Sequence, residues 1–535
     1  PADIVGTPAA DTLNGTASGE RIFGLGDNDT IAGGDGNDFI EGGAGNDNMN
    51  GGNGVDTLSY SGDAFRTEGV FVDLRFNVAQ TISGSGETDT ISNFEIVEGT
   101  NFSDTMFAAS SGTSVVRGLG GGDTLFGSGG TGSHTLDGGG GTDTVSYTAF
   151  SAVQFPAGVT LDLRLQGTAQ TIGTASMTLI GFENANGSSA NDTLTGDDAV
   201  NFINGVNGND TLDGQGGDDN IFGGNGNDTM FGGEGNDFFR GGAGNDVSNG
   251  GAGNDRVSMF GASTGATVDL NIQGVAQDTI SQGFDTLISI EDASGSEFND
   301  TLIGNTGDNW LWGNGGVDTL TGGDGNDLFW GDGGTSGAGF SDIINGGNGI
   351  DTMSYYDNAS RTAGVTVDLS LGTGGNVASG ESDSLTNIEN VEGSIAADII
   401  GGDGNDNLLT GLAGNDSLNG AGGNDTLDGG DGNDTLAGGI GADQFRFGMP
   451  ETLNGSPIPV TETIVDASAA DGDKFVFTFA LTGYRLADGS TLDDGDTIQV
   501  GSLLGGGQAS IVLQGFDVIV DTDGNGVADL VLDNT

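Results

Sequence analysis

The sequence predicts an all-β protein: a parallel β-roll or β-solenoid of nonapeptide repeats, with four wider-turn inserts and a small C-terminal β domain. The first observation behind this is a nine-residue unit, Gly223-Gly224-Asn225-Gly226-Asn227-Asp228-Thr229-Met230-Phe231, which recurs at 33–41, 42–50, 232–240, 241–249 and 429–437. Glycine opens the unit, aspartate stands sixth and an apolar residue eighth. A period this short cannot enclose a globular core, so successive units must stack. The second observation is the glycine content, 109 of 535 residues against only six prolines. The glycines are periodic, which argues against low-complexity disorder. Third, apolar residues make up 34%. That is sparse for a packed globule of this size, and sufficient for a solenoid whose turns each send one or two side chains inward.

Five repeat tracts are readable, at 6–59, 118–146, 187–258, 295–354 and 393–446. The four inserts between them resemble one another. Each opens on a repeat aspartate, as in Asp56-Thr57-Leu58-Ser59-Tyr60, Asp143-Thr144-Val145-Ser146-Tyr147, Asp255-Arg256-Val257-Ser258-Met259 and Asp351-Thr352-Met353-Ser354-Tyr355. A period-two stretch follows, such as Val70-Phe71-Val72-Asp73-Leu74 or Val365-Thr366-Val367-Asp368-Leu369, which predicts half-buried strands. Corresponding stretches stand at 159–163 and 266–270. Each insert returns through Phe94-Glu95, Phe182-Glu183, Ile290-Glu291 or Ile388-Glu389. The expected divisions are 1–59, 60–146, 147–258, 259–354, 355–447 and 448–535, read as one continuous solenoid and not as separate beads. Pro450, Pro457 and Pro459 mark the last boundary. Beyond it, alternation such as Lys474-Phe475-Val476-Phe477-Thr478-Phe479 predicts a β cap.

The repeat carries chemistry as well as shape. Glycines at positions one, two and four permit positive φ and a tight turn with exposed carbonyls. Calcium takes six to eight hard oxygens and accepts carboxylates mixed with carbonyls. If two nonamers make one turn, sixth-position aspartates 18 residues apart stack on one edge. Asp210, Asp228 and Asp246 then line one edge, and Asp219, Asp237 and Asp255 the other. The same reasoning names Asp29, Asp38, Asp47, Asp56, Asp318, Asp327, Asp416, Asp425, Asp434 and Asp443 as metal ligands. Leu212, Ile221, Met230 and Phe239, at position eight, should form a thin inward ladder, weakened where Ser248 replaces the apolar residue. The net charge is −67, from 11 basic and 78 acidic side chains. On the order of 20 calcium ions would offset about 40 of those charges, which makes folding conditional on the cation.

The nonamer resembles the Gly-Gly-x-Gly-x-Asp-x-(apolar)-x unit of RTX (repeats-in-toxin) proteins, also called hemolysin-type calcium-binding repeats, over most of 6–447. The resemblance implies a parallel β-roll. It also implies a protein, of a Gram-negative bacterium, exported unfolded by a type I system through an uncleaved C-terminal signal and folding on extracellular calcium. No toxin-like helical apolar domain, His-Glu-x-x-His protease helix or lipase domain is visible beside the repeats.

Other features narrow the function. The acidic balance disfavours nucleic acid and anionic membranes as partners. No apolar run reaches the roughly 18 residues of a membrane span. The absence of cysteine rules out disulfides. The start, Pro1-Ala2-Asp3-Ile4-Val5-Gly6, lacks the basic-then-apolar signal pattern and reads as a mature N-terminus or a trimmed one. Asp521, Asp523, Asn525 and Asp529 match the front of an EF-hand loop, although Leu532 stands where its last carboxylate belongs; a hairpin about Asn525-Gly526 is the alternative, and both readings can hold. Gly261-Ala262-Ser263-Thr264-Gly265 matches a hydrolase string without its strand–elbow–helix context, and the only histidine, His134, lies in another tract. No catalytic residues are expected. Trp312 and Trp330 share the outward ninth position and should stack, with Trp310 beside them, as a partner contact; coverage by the long turn at 331–345 is the competing reading. The function expected is a secreted, calcium-binding structural protein of the cell surface, S-layer-like, matrix or filament, that self-associates. The alternatives are an adhesin that binds surface glycans, or the non-catalytic part of a larger secreted enzyme.

Overall fold

The computed structural model describes residues 3–62, 66–82, 86–280, 282–332, 340–356, 363–376 and 380–447, and beyond 447 only strands between 452 and 534. Among these residues the one helical piece is a 3-10 turn, Leu163–Leu165. Among the described residues no helix is long and apolar enough to cross a membrane. The chain forms two compact units: residues 1–257 with 273–276 and 282–290, and the remainder from 258 onward.

Each unit is a parallel β-roll. In the first, Leu13 pairs with Ile31 and Ile31 with Met49, while Ile22 pairs with Ile40 and Ile40 with Leu58. The register advances 18 residues per turn, so two nonamers make one coil. Position eight points inward throughout: Leu212, Ile221, Met230 and Phe239 are all fully buried. Each such side chain contributes about 1.5–3 kcal/mol of transfer free energy. Ser248 follows Met230 in the same column and is also buried.

The inserts exchange one sheet for another while the opposite sheet runs through. At the first insert, the hairpin of Ala79–Thr81 with Thr88–Ser92 closes one sheet. Phe71–Asp73 founds its successor by pairing with Thr105–Phe107. Meanwhile Thr57–Ser59 hands directly to Ile96–Glu98. At the second insert, Ala169–Ile172 folds back on Thr174–Ile180, Thr160–Asp162 founds a new sheet, and Thr144–Ser146 passes to Asn184–Asn186. In the second unit Thr267–Asp269 founds a sheet on Thr301–Ile303, whereas at Thr366–Asp368 that same sheet continues through the antiparallel link Thr373–Gly374 to Asp383–Thr386, with Thr352–Ser354 carried on to Asn390–Glu392. Strands thus stand at all four expected stretches, 70–74, 159–163, 266–270 and 365–369; the first three serve as founding rungs and the fourth as an interior strand of its sheet.

At the C-terminal end the parallel stack gives way to antiparallel pairing. Val460–Ile464 pairs antiparallel with Ala509–Gln514, which pairs with Asp517–Asp521, and that strand pairs with Leu530–Asn534. Val518 faces Leu532, so the flanks of the expected hairpin do pair.

The glycines divide differently from the sequence expectation. Positions two and four take positive φ, as at Gly224 (107°) and Gly226 (139°), but position one does not. Position one is glycine because of close approach: a Cβ on Gly223 would meet the Asp228 carboxylate and the Gly241 carbonyl oxygen.

Candidate metal centre

The turn Gly-x-x-x-x-Asp brings each sixth-position carboxylate beneath its own first residue, and the 18-residue register stacks these carboxylates in columns. The main-chain N–H of Asp210 donates to Oδ1 of Asp228 at 2.8 Å, and that of Asp228 to Oδ1 of Asp246 at 2.8 Å. On the other edge Asp219 donates to Asp237 and Asp237 to Asp255. Asp29 and Asp47, Asp38 and Asp56, Asp416 and Asp434, and Asp425 and Asp443 are joined in the same way. Asp318 and Asp327 hold equivalent places in the second unit, fed by Asp300 and Asn309. None of these sixteen repeat aspartates is more than 2% exposed. Position five adds a reverse staple: Asn227 N–H donates back to Asn209 Oδ1 at 2.8 Å.

The second carboxylate oxygen is what makes the column a candidate metal site. Oδ2 of Asp29, Asp38, Asp47, Asp56, Asp210, Asp219, Asp228, Asp237, Asp246, Asp327, Asp416 and Asp425 is buried without a hydrogen-bond donor. A buried acceptor left in this state is costly. It faces the cradle that a Cβ at position one would fill, against a carbonyl oxygen one coil further on, as with Asp228, Gly223 and Gly241. A donorless carboxylate oxygen beside a carbonyl oxygen, both acceptors, fits calcium and does not fit a hydrogen bond between them. Among the described residues no three His, Cys, Asp or Glu side chains gather at one point, so carbonyls must complete any ligand set. The cation would neutralise the carboxylates and tie one coil to the next.

Electrostatics point the same way. Burial first, then neighbouring carboxylates, pushes Asp47, Asp210, Asp219, Asp246, Asp327 and Asp416 up to about 7. Burial raises Asp228 and Asp425 to about 6. Ionising these groups together inside a column calls for a counter-charge beside them.

The columns extend past the expected residues. Asp123, Asp143 and Asp351 have the same buried, donorless Oδ2. Asp123 closes the turn Gly118-Leu119-Gly120-Gly121-Gly122-Asp123, and requiring glycine first and aspartate sixth finds it. The insert returns also enter: Asp56, Asp143 and Asp351 donate to Glu95, Glu183 and Glu389 at 2.7–2.9 Å. Asp521 ends the strand Asp517–Asp521, while Asp523, Asn525 and Asp529 lie outside the described residues.

Trp312 and Trp330 do stack, 4.6 Å apart and 4° from parallel, with Trp310 edge-on to both at 5.8 and 6.1 Å. Trp310 is 45% exposed. It borders a cavity of about 570 Å³ that Thr352, Asn390, Glu392 and Thr410 also line. His134 is buried with Ser114 Oγ 2.8 Å from its Nδ1. That pair is sealed from substrate, and Ser263 stands in irregular chain with no helix after it.

A family model described as the RTX calcium-binding nonapeptide repeat (4 copies) matches residues 23–58, 180–212, 195–230, 222–257, 294–329 and 410–445. Comparison with curated proteins finds no match.

Proposed function

We propose, for a chain that belongs to the RTX calcium-binding nonapeptide-repeat proteins, a secreted structural role: a component of the bacterial surface that folds on extracellular calcium and assembles there as a layer, matrix or filament. The calcium dependence rests on one observation above all, the columns of buried carboxylates whose Oδ2 atoms face carbonyl oxygens and no donor. The net charge of −67 supports the assembly step, because the ion that winds the coils can also bridge acidic surfaces of two chains. We assign the chain no catalysis; the repeat carboxylates are committed to the columns, where a ligated aspartate makes a poor general acid.

Light scattering of the chelator-treated chain during calcium addition tests this reading. Growth into large particles that chelator disperses supports it. Folding to a stable monomer contradicts the assembly role.

The tryptophan cluster favours a second reading, a glycan-binding surface. A flat aromatic wall beside hydroxyl, amide and carboxylate groups suits the apolar face and rim of a pyranose. Trp310→Ala and Trp312→Ala, assayed on a panel of surface polysaccharides, should then abolish retention while leaving calcium-induced folding intact. Unchanged retention removes this reading.

A further inference from the structure

The carboxylate columns contain two kinds of coil, separated by the peptide entering position two. Where Oδ2 is buried without a donor, position two has positive φ. This holds for glycines such as Gly34 and Gly224, and equally for Leu25 (80°), Val206 (82°), Gln215 (79°) and Leu412 (74°). Side chains rarely adopt that conformation, so the turn itself selects it and not the presence of glycine.

Elsewhere the peptide is turned the other way. Position two is then Ser or Thr without positive φ, and its N–H donates into the carboxylate. Ser188, Ser296 and Ser394 donate to Oδ2 of Asp192, Asp300 and Asp398, each at 2.6 Å. Their hydroxyls reach Oδ1 of the same groups at 2.8–2.9 Å. Thr100 closes Asp104 in this manner, and Thr7 and Thr16 close Asp11 and Glu20. These carboxylates receive from their own turn the donors that the others lack.

On the facing edge the same coils carry asparagine at position six. Asn201, Asn309 and Asn407 accept the position-two N–H on the amide oxygen at 2.7–2.9 Å. Each amide nitrogen donates to a main-chain carbonyl 18 residues earlier: Glu183 at 2.7 Å, Glu291 at 2.5 Å and Glu389 at 2.7 Å. An N–H₂ group thus bonds the preceding coil directly, without a cation. The closed coils have a fixed place. They open the tracts beginning near 6, 187, 295 and 393, and on one edge the tract that follows Glu95.

We propose that each tract opens on a calcium-free coil, and that metal loading begins only at the positive-φ coils behind it. The opening coil supplies a folded rung, satisfied by the chain's own donors, on which the first calcium-bound coil winds. The calcium column is therefore a set of separate runs, each with its own metal-independent base. This rests on the calcium reading of the site and deepens it.

Crystals of the full chain grown in calcium, measured at a long wavelength, give the test. Anomalous density should appear beside Asp210, Asp228 and Asp246 and be absent beside Asp192, Asn201, Asp300 and Asn309. A peak of equal height at Asp192 or Asp300 overturns the proposal and leaves calcium binding intact. No peak at any carboxylate overturns both. Calcium stoichiometry by titration calorimetry gives an independent readout in solution. Asp228→Asn should lose at least one bound ion relative to the parent chain, whereas Ser188→Ala and Asn201→Ala should lose none. Loss of an ion with either of the latter contradicts the assignment.

Discussion

The N–H of Asp210 donates to Oδ1 of Asp228 at 2.8 Å, while Oδ2 of the same Asp228 is buried and receives nothing. One oxygen of the carboxylate is bound into the fold, and the other is the one a cation would take. This division repeats along both rolls and accounts for the pH, substitution and metal responses expected of the chain.

Stability without metal should rise as pH falls. Repeat carboxylates sit at about 6 to 7 in the folded chain against 3.8 ordinarily. A carboxyl raised on folding contributes stability that is complete below the unfolded value and is lost as pH rises through the folded one. Calcium reverses the order, because it needs the ionised groups. Thermal melts followed by circular dichroism should show the metal-free chain holding more β structure near pH 4 than near pH 8, and the calcium-loaded chain melting higher near pH 8 than near pH 4.

Val206 holds φ at 82° at a second position, where most coils use glycine. Val206→Gly should stabilise the calcium-loaded fold by about 1 kcal/mol, the left-handed penalty less the added chain freedom. Gly226→Ala should do the reverse, since its Cβ would strike the Gly208 carbonyl. Denaturant titration at saturating calcium compares the two.

Phe239 is fully buried between Ile221 and Val257 in its column. Truncation to alanine should cost about 3–5 kcal/mol. Because each coil touches only its neighbours, hydrogen exchange should quicken mainly in adjacent coils.

Tyr355 donates its hydroxyl to Oδ2 of Asp383 at 2.9 Å, and Tyr60 does the same to Asp89 at 3.0 Å. These bonds anchor the inserts to the ends of two columns. Tyr355→Phe should lower stability by about 1.5–3 kcal/mol, the range for a hydrogen bond to a charged group. A melt unchanged by the substitution contradicts this role.

The repeat made most of this legible. The 18-residue coil, the paired edges, the inward position eight and the Trp312–Trp330 stack all follow from side-chain period alone. What stayed hidden depends on peptide orientation, which no residue spells out. Leu119 and Val206 adopt a glycine-like φ, which their residue types do not announce. The capping of Asp192 by Ser188 is a four-residue local bond that looks in sequence like an imperfect repeat. The sheet exchange at the inserts requires knowing which strand pairs with which, and pairing across about 40 residues leaves no periodic trace.

The central claim is that calcium at these carboxylates drives the winding of the rolls. Far-ultraviolet circular dichroism of the chelator-treated chain at neutral pH, followed from micromolar to ~10 mM calcium, tests it most directly, since that span brackets known protein calcium affinities. The account predicts a cooperative passage from a largely disordered spectrum to a β spectrum, reversed by chelator. A full β spectrum before any calcium is added, unchanged across the titration, would contradict it.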